Sequence, residues 1–217
     1  PFSIAWVQVP IQQGINALYL HTLSPETISR YTLLLGVPVI VVSGLVQESV
    51  KFGIAVGGLH LPGVKRAPSA GLAEGADKGI AFGADKGIAF GASAGAGYGG
   101  IEAFWVFNQI FAVGFTWATV QLGGIVTLIG FIERFFTVIF HISVTSLSAY
   151  GYATGRPWRF LLLAIGLHSF ANYFALLLQV RVVSIAGAEI AIALIAVGTL
   201  VAALWLRARA RRLPQSD

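Results

Sequence analysis

Long apolar runs dominate the chain, each interrupted by a few polar positions. A helix that crosses a bilayer needs about 20 apolar residues. The stretches that qualify are residues 2–22, 31–59, the end of a glycine-rich segment through about residue 121, 125–150, 159–182 and 184–206. The first, with Pro10, Gln12, Gln13 and Asn16, is the least apolar. The second is interrupted by Gln47-Glu48-Ser49-Val50-Lys51, the fourth by Glu133, Arg134 and His141, the fifth by His168 and Asn172, and the sixth by Glu189. The pattern predicts an all-α, polytopic transmembrane helix bundle of about six spans, forming one integral-membrane domain over residues 1–217.

A second pattern lies inside the third stretch. Glycine recurs at every fourth position, at Gly71, Gly75, Gly79, Gly83, Gly87, Gly91, Gly95 and Gly99. Small residues four apart let helix backbones approach closely in lipid, where no hydrophobic force drives helices together. A period of four drifts by about 40° per step on a 3.6-residue helix. One partner therefore follows three or four of these glycines, and the ladder must otherwise meet several neighbours or break. Gly91, Gly95 and Gly99 are the expected helix-packing rungs. The segment 75–82 recurs directly as 83–90, a tandem eight-residue duplication that preserves the period of four and reads as neutral. Asp77, Lys78, Asp85 and Lys86 come with it and are given no role.

Composition agrees with a membrane protein: 56% of the residues are hydrophobic and 11% charged, against roughly 25% charged in a soluble domain. The chain has no Met and starts just before an apolar run, which points to a truncated N-terminus and a missing further helix. Residues 1–23 lack the basic segment and small-residue cleavage site of a signal peptide. Without cysteine, disulfides, thiol catalysis and thiolate metal sites are excluded. The net charge of +5 concentrates at Arg207, Arg209, Arg211 and Arg212, which points to topology and anionic lipid rather than nucleic acid. Basic residues favour the cytoplasmic side. The tail 207–217 is expected there, with the loops holding Arg156 and Lys65-Arg66 on the same side, in a bacterial or archaeal cell membrane.

Ionisable groups within spans are costly, at least ~2.5 kcal/mol each at the bilayer centre, so each one is a functional hypothesis. At 1.5 Å per residue, Glu48 lies about 18 Å from the end of its helix at His60, and His141 and His168 about 15 Å from Gly151 and Trp158. With entry at Gly91, Glu102 lies about 16 Å in. Protonatable groups on separate helices thus reach one plane. His168 and Asn172, four apart, share a face, and Glu48 and Lys51, three apart, are placed to pair. Two imidazoles and a carboxylate are a common ligand set for a catalytic divalent metal. Glu48 is then left as the general base that deprotonates the metal-bound water. Each group also has a plainer reading. Membrane histidines more often bond helix to helix than ligate metals, Glu48–Lys51 can be a structural pair, and Glu133–Arg134 reads as structural support. His21 and His60 stand at span ends, and the aromatics around Trp105, Phe111, Phe136 and Phe140 read as lipid-facing or packing residues.

Four segments together carry a resemblance: Gln47-Glu48-Ser49-Val50-Lys51, residues 95–103 ending in Ile101-Glu102-Ala103, residues 133–141 from Glu133-Arg134 to His141, and His168-Ser169-Phe170-Ala171-Asn172. In order and spacing, over about residues 31–180, they resemble the YhfC-like family of intramembrane metalloproteases. That family is grouped with PrsW and the CAAX prenyl endopeptidase (CPBP) group. The resemblance implies a four-helix catalytic core and a membrane-embedded metallo or glutamic endopeptidase that cleaves transmembrane or membrane-proximal peptides. It implies Glu48 and Asn172 as catalytic residues, Glu102, His141 and His168 as metal-site residues with Zn2+, and Lys51, Glu133 and Arg134 in support. Gln47 departs from the Glu-Glu pair common in related families, and Asn172 is a weaker ligand than Asp. Both leave a metal-independent glutamate mechanism open. A non-catalytic helix-binding scaffold and a proton-coupled transporter are the rival readings.

Overall fold

The computed structural model describes residues 2–61 and 73–212, with side chains in the second piece from residue 83 onward. A π-helical turn, Ile4–Gln8, leads into α1 (Val9–Thr22). Then follow α2 (Pro25–Arg30), α3 (Thr32–Leu59), α4 (Ala73–Ala112), α5 (Trp117–Gly123), α6 (Ile129–Ala153), α7 (Pro157–Gln179) and α8 (Ile185–Arg212). The loop carrying Lys65 and Arg66, the rung at Gly71 and residues 213–217 lie outside the described residues, as do the side chains of Asp77 and Lys78.

The helices long and apolar enough to span a membrane are Thr32–Leu59, Ile125–Ala153, Pro157–Gln179 and Ile185–Arg212. The bent pair Gly83–Ala112 and Trp117–Gly123 makes a fifth if it is one span. Among the described residues the expected six spans are therefore four or five, and the physical reasons lie in the first and third stretches. Residues 2–22 are helical, but Gln8, Gln12, Gln13 and Asn16 hold them below the apolarity of the others. The third stretch does not run on to Gln121 as one rod. It bends by 78° after Ala112, where Gly114 takes φ +89°, a left-handed conformation that glycine adopts without steric cost. Thr116 and Thr119 then form a capping box at the start of α5. The other spans match their predicted ranges, and α8 carries the basic segment on as helix to Arg212.

Helix α6 is the hub and touches α3, α4, α7 and α8. The glycine ladder makes its closest face: α4 runs antiparallel to α6, with Gly87 against Ala149, Gly91 against Thr145 and Ser146, and Gly95 and Gly99 against His141. Gly83 reaches Ala153 at ordinary van der Waals distance. Four close rungs on one partner match the number the drift allows. Contacts on α6 also recur every four residues, so the two helices wrap round each other and share the drift. On its opposite face, α6 packs Phe140 and Val144 against Ala164 of α7 and Ala196 of α8. Ser143 Oγ and Thr199 Oγ1, 2.7 Å apart, tie α6 to α8. Leu34, Leu45, Phe104, Phe135 and Leu204 remain exposed, as lipid-facing side chains do.

One expectation about the duplication is corrected. Asp85, given no role, accepts from Arg207 Nε at 2.8 Å and Arg211 Nε at 2.9 Å. The second copy lies where α4 passes the basic end of α8, so its carboxylate meets cations there. That contact, with His60 Nε2 2.8 Å from Tyr152 Oη, gathers the end of α3, the Asp85 turn of α4 and the ends of α6 and α8 on one side of the bundle.

Candidate functional site

The polar plane expected from helix depths is present. Glu48 and Lys51 on α3, His141 on α6 and His168 on α7 are almost fully buried, with exposures of 0%, 0%, 1% and 4%. Gly44, which faces Ser169 and the Ile165 carbonyl, lets α3 approach α7, and the Gly95–Gly99 rungs lay α4 against the His141 turn.

Glu48 is the centre of the network. Its Oε1 lies 2.5 Å from Lys51 Nζ and accepts from His168 Nδ1 at 2.6 Å. Lys51 Nζ also lies 2.7 Å from His141 Nδ1 and 5.5 Å from the centre of the Tyr98 ring. A carboxylate accepts and an ammonium donates. As neutral imidazoles, His168 then carries its hydrogen on Nδ1 and keeps the Nε2 lone pair, while His141 accepts at Nδ1 and carries its hydrogen on Nε2. The two imidazoles, with ring centres 5.4 Å apart, hold opposite tautomers. Phe140, read as an ordinary packing residue, is buried beside both, 6.0 Å from the His141 ring and 5.7 Å from that of His168.

Glu102 joins from α4. Its Oε2 lies 3.4 Å from His141 Nε2 and its Oε1 accepts from Arg134 Nη1 at 3.0 Å. Arg134 is also paired with Glu133, so this pair supports the site through Glu102. A cavity of about 140 Å³ opens among Gln47, Glu102, Arg134, His141, His168 and Asn172. Glu48 is not on its wall; it holds His168 from behind and is linked to His141 through Lys51. Asn172 lines the cavity but spends an amide hydrogen on Ser43 Oγ at 3.0 Å.

Sequence reasoning placed a helix over residues 2–22 but missed that it packs against this side of the cluster. Gln8, in the π turn, accepts from Gln47 Nε2 at 3.1 Å, and Gln47 also donates to Ser43. Ser3 Oγ lies 3.0 Å from Tyr98 Oη, and Gln12 donates to the Val39 carbonyl at 2.7 Å. The i, i+4 pair Gln8 and Gln12 in an apolar run was the available sign that this face turns inward.

The donor set suits a divalent metal. One ligand atom each from Glu48, His141 and His168 lie within 4.8 Å of one another. Among the described residues, Glu48 Oε2, Glu102 Oε2 and His141 Nε2 are buried without a hydrogen-bond partner. Buried polar atoms are rarely left so, and the 3.4 Å between the last two is close to the edge of a tetrahedral zinc shell, about 3.3 Å.

No curated protein and no solved structure matches the chain. With apolar helices of spanning length round a buried ionisable centre, this is an integral membrane protein. Glu48, Lys51 and Glu102 lie upstream of the segment that finds a family. From residue 107 to 196, which includes Glu133, Arg134, His141, His168 and Asn172, the chain matches the family described as YhfC intramembrane metalloprotease.

Proposed function

We propose that the protein is an intramembrane endopeptidase that hydrolyses peptide bonds of transmembrane or membrane-proximal substrates with water activated by Glu48. The observation that carries this reading is the meeting of Glu48, His141 and His168, from three separate helices, in one buried group beside a polar cavity inside an apolar bundle. Such a group is expensive to bury, and helix packing alone needs none of it.

Glu102, His141 and His168, the donors on the cavity wall, would hold a zinc ion with Glu48 behind them. The ion would polarise the scissile carbonyl and lower the pKa of a bound water. The chain's own groups do the rest. Glu48 orients His168 through Nδ1, and its other oxygen, Oε2, buried behind the cavity wall, would take the proton of a water admitted past the imidazoles. Arg134 holds Glu102 in place. Asn172, fixed by Ser43, offers its remaining amide hydrogen to the substrate carbonyl. The cytoplasmic face of the bundle is assigned to the arginine-bearing end of α8.

The test is to reconstitute the protein with a reporter transmembrane peptide and identify products by mass. Fragments cut within or beside the apolar segment, lost in His168→Ala, support the reading; an intact peptide overturns it.

A further inference from the structure

The Lys51 ammonium occupies a cation position within the candidate metal centre. It is fully buried, lies 2.5 Å from Glu48 Oε1 and 2.7 Å from His141 Nδ1, and faces the Tyr98 ring. We propose that Lys51 and a divalent metal compete for His141, so that the lysine sets the metal affinity of the site and must withdraw for the ion to bind. The inference rests on the metal-dependent form of the function proposed above.

The argument is one of lone pairs. An imidazole ligates through an unprotonated nitrogen. An ammonium has three donors and no acceptor, so the Lys51 contact consumes the Nδ1 lone pair of His141. The hydrogen is left on Nε2, the atom facing Glu102. Neither His141 nitrogen is then free for a metal. His168 is in the opposite condition. The Glu48 carboxylate fixes its hydrogen on Nδ1 and frees Nε2, the usual carboxylate–histidine support of a metal ligand. Half of the imidazole pair is ready and half is held by the chain's own cation. Charge works in the same direction, because an ammonium in van der Waals reach of a dication repels it in a buried site. Lys51 has a place to go: the Tyr98 ring, 5.5 Å from Nζ, attracts a cation with its face. With Lys51 withdrawn, the hydrogen of His141 can move to Nδ1 and leave Nε2, beside Glu102 Oε2, as a ligand.

The experiment measures zinc affinity, not cleavage. Purified wild type, Lys51→Met and the double variant Lys51→Met/His168→Ala are titrated with zinc against a chromophoric chelator. The expected result is that Lys51→Met binds zinc about 10–100-fold more tightly than wild type, the usual size of outer-shell effects, and that the double variant loses the gain. Zinc bound by wild type but not more tightly by Lys51→Met overturns the competition alone. Zinc bound by neither protein overturns it together with the metal-dependent reading. Should Lys51→Met not fold, wild-type protein labelled with 15N-histidine, with His21 and His60 replaced by Gln, decides the question. One Nδ1–H and one Nε2–H imidazole before zinc, with the second changing on addition, supports the proposal. Two imidazoles of the same tautomer before zinc overturn it.

Discussion

Gly95 lies flat against the main chain of His141: a methyl group at Gly95 would come within 2.7 Å of the His141 carbonyl carbon. The rung that packs α4 on α6 is thus the rung that sets the height of a site histidine. Neither backbone can yield locally, so Gly95→Ala must part the helices. Overpacking of this kind costs about 1–3 kcal/mol. The expected outcome is a lowered melting temperature in detergent and loss of activity. Gly100, with open space where its Cβ would stand, is the control, and Gly100→Ala should leave both unchanged.

Gly99→Ala should separate packing from function. The atoms nearest a methyl group there are side-chain atoms of His141, at 3.0–3.3 Å. An imidazole can shift by a few tenths of an ångström where a carbonyl cannot. The variant should keep most of its stability yet displace His141 from Lys51 and Glu102, so that activity falls more than melting temperature. A loss of stability equal to that of Gly95→Ala would show that the rung serves packing alone.

The duplicated segment yields a third test. Deleting residues 83–90 joins the first copy to Gly91, and Asp77 then takes the place of Asp85 beside Arg207 and Arg211. The deleted protein should insert and fold as before. Asp85→Asn in the full chain should cost less than about 1 kcal/mol, because these pairs are partly exposed. Failure of the deletion to insert would show that the added length of α4 matters in its own right.

Much of this could be read before the structure, for a definite reason. In an apolar run a charge stands out, and helix rise converts its position to a depth, so Glu48, Glu102, His141 and His168 announced one plane. The ladder announced its own partner contact. What stayed hidden were directions of uncharged polar groups and contacts across long separations. Gln12 read as a flaw in a span because a single glutamine in a helix carries no sign of where it points; only its i, i+4 pairing with Gln8 marks the inward face. Lys51 was paired with Glu48 from spacing, but its second partner, His141, lies 90 residues away and no local pattern links them. Asp85 looked idle because its partners sit at the far end of the chain.

The first helix can be tested through the contact that was missed. Gln8→Leu removes the acceptor of a buried Gln47 hydrogen bond. Loss of such a bond costs about 1–3 kcal/mol where the donor stays buried. Stability should fall by that amount and the melting temperature with it, and the segment before α3 should become more sensitive to protease. An unchanged melt would mean that α1 packs on α3 without this contact.

The central claim is that Glu48 works as a base and not only as the counter-charge of Lys51. Glu48→Gln keeps its shape and hydrogen-bonding atoms but removes its charge. If the carboxylate only neutralised the buried lysine, the main effect would be on stability, with about 3–5 kcal/mol lost on breaking a buried pair. The deciding measurement is the initial rate of cleavage of a reconstituted transmembrane peptide by wild type and Glu48→Gln, at equal folded fractions. The account predicts a fall of about 100-fold or more; an equal rate for the two proteins contradicts it.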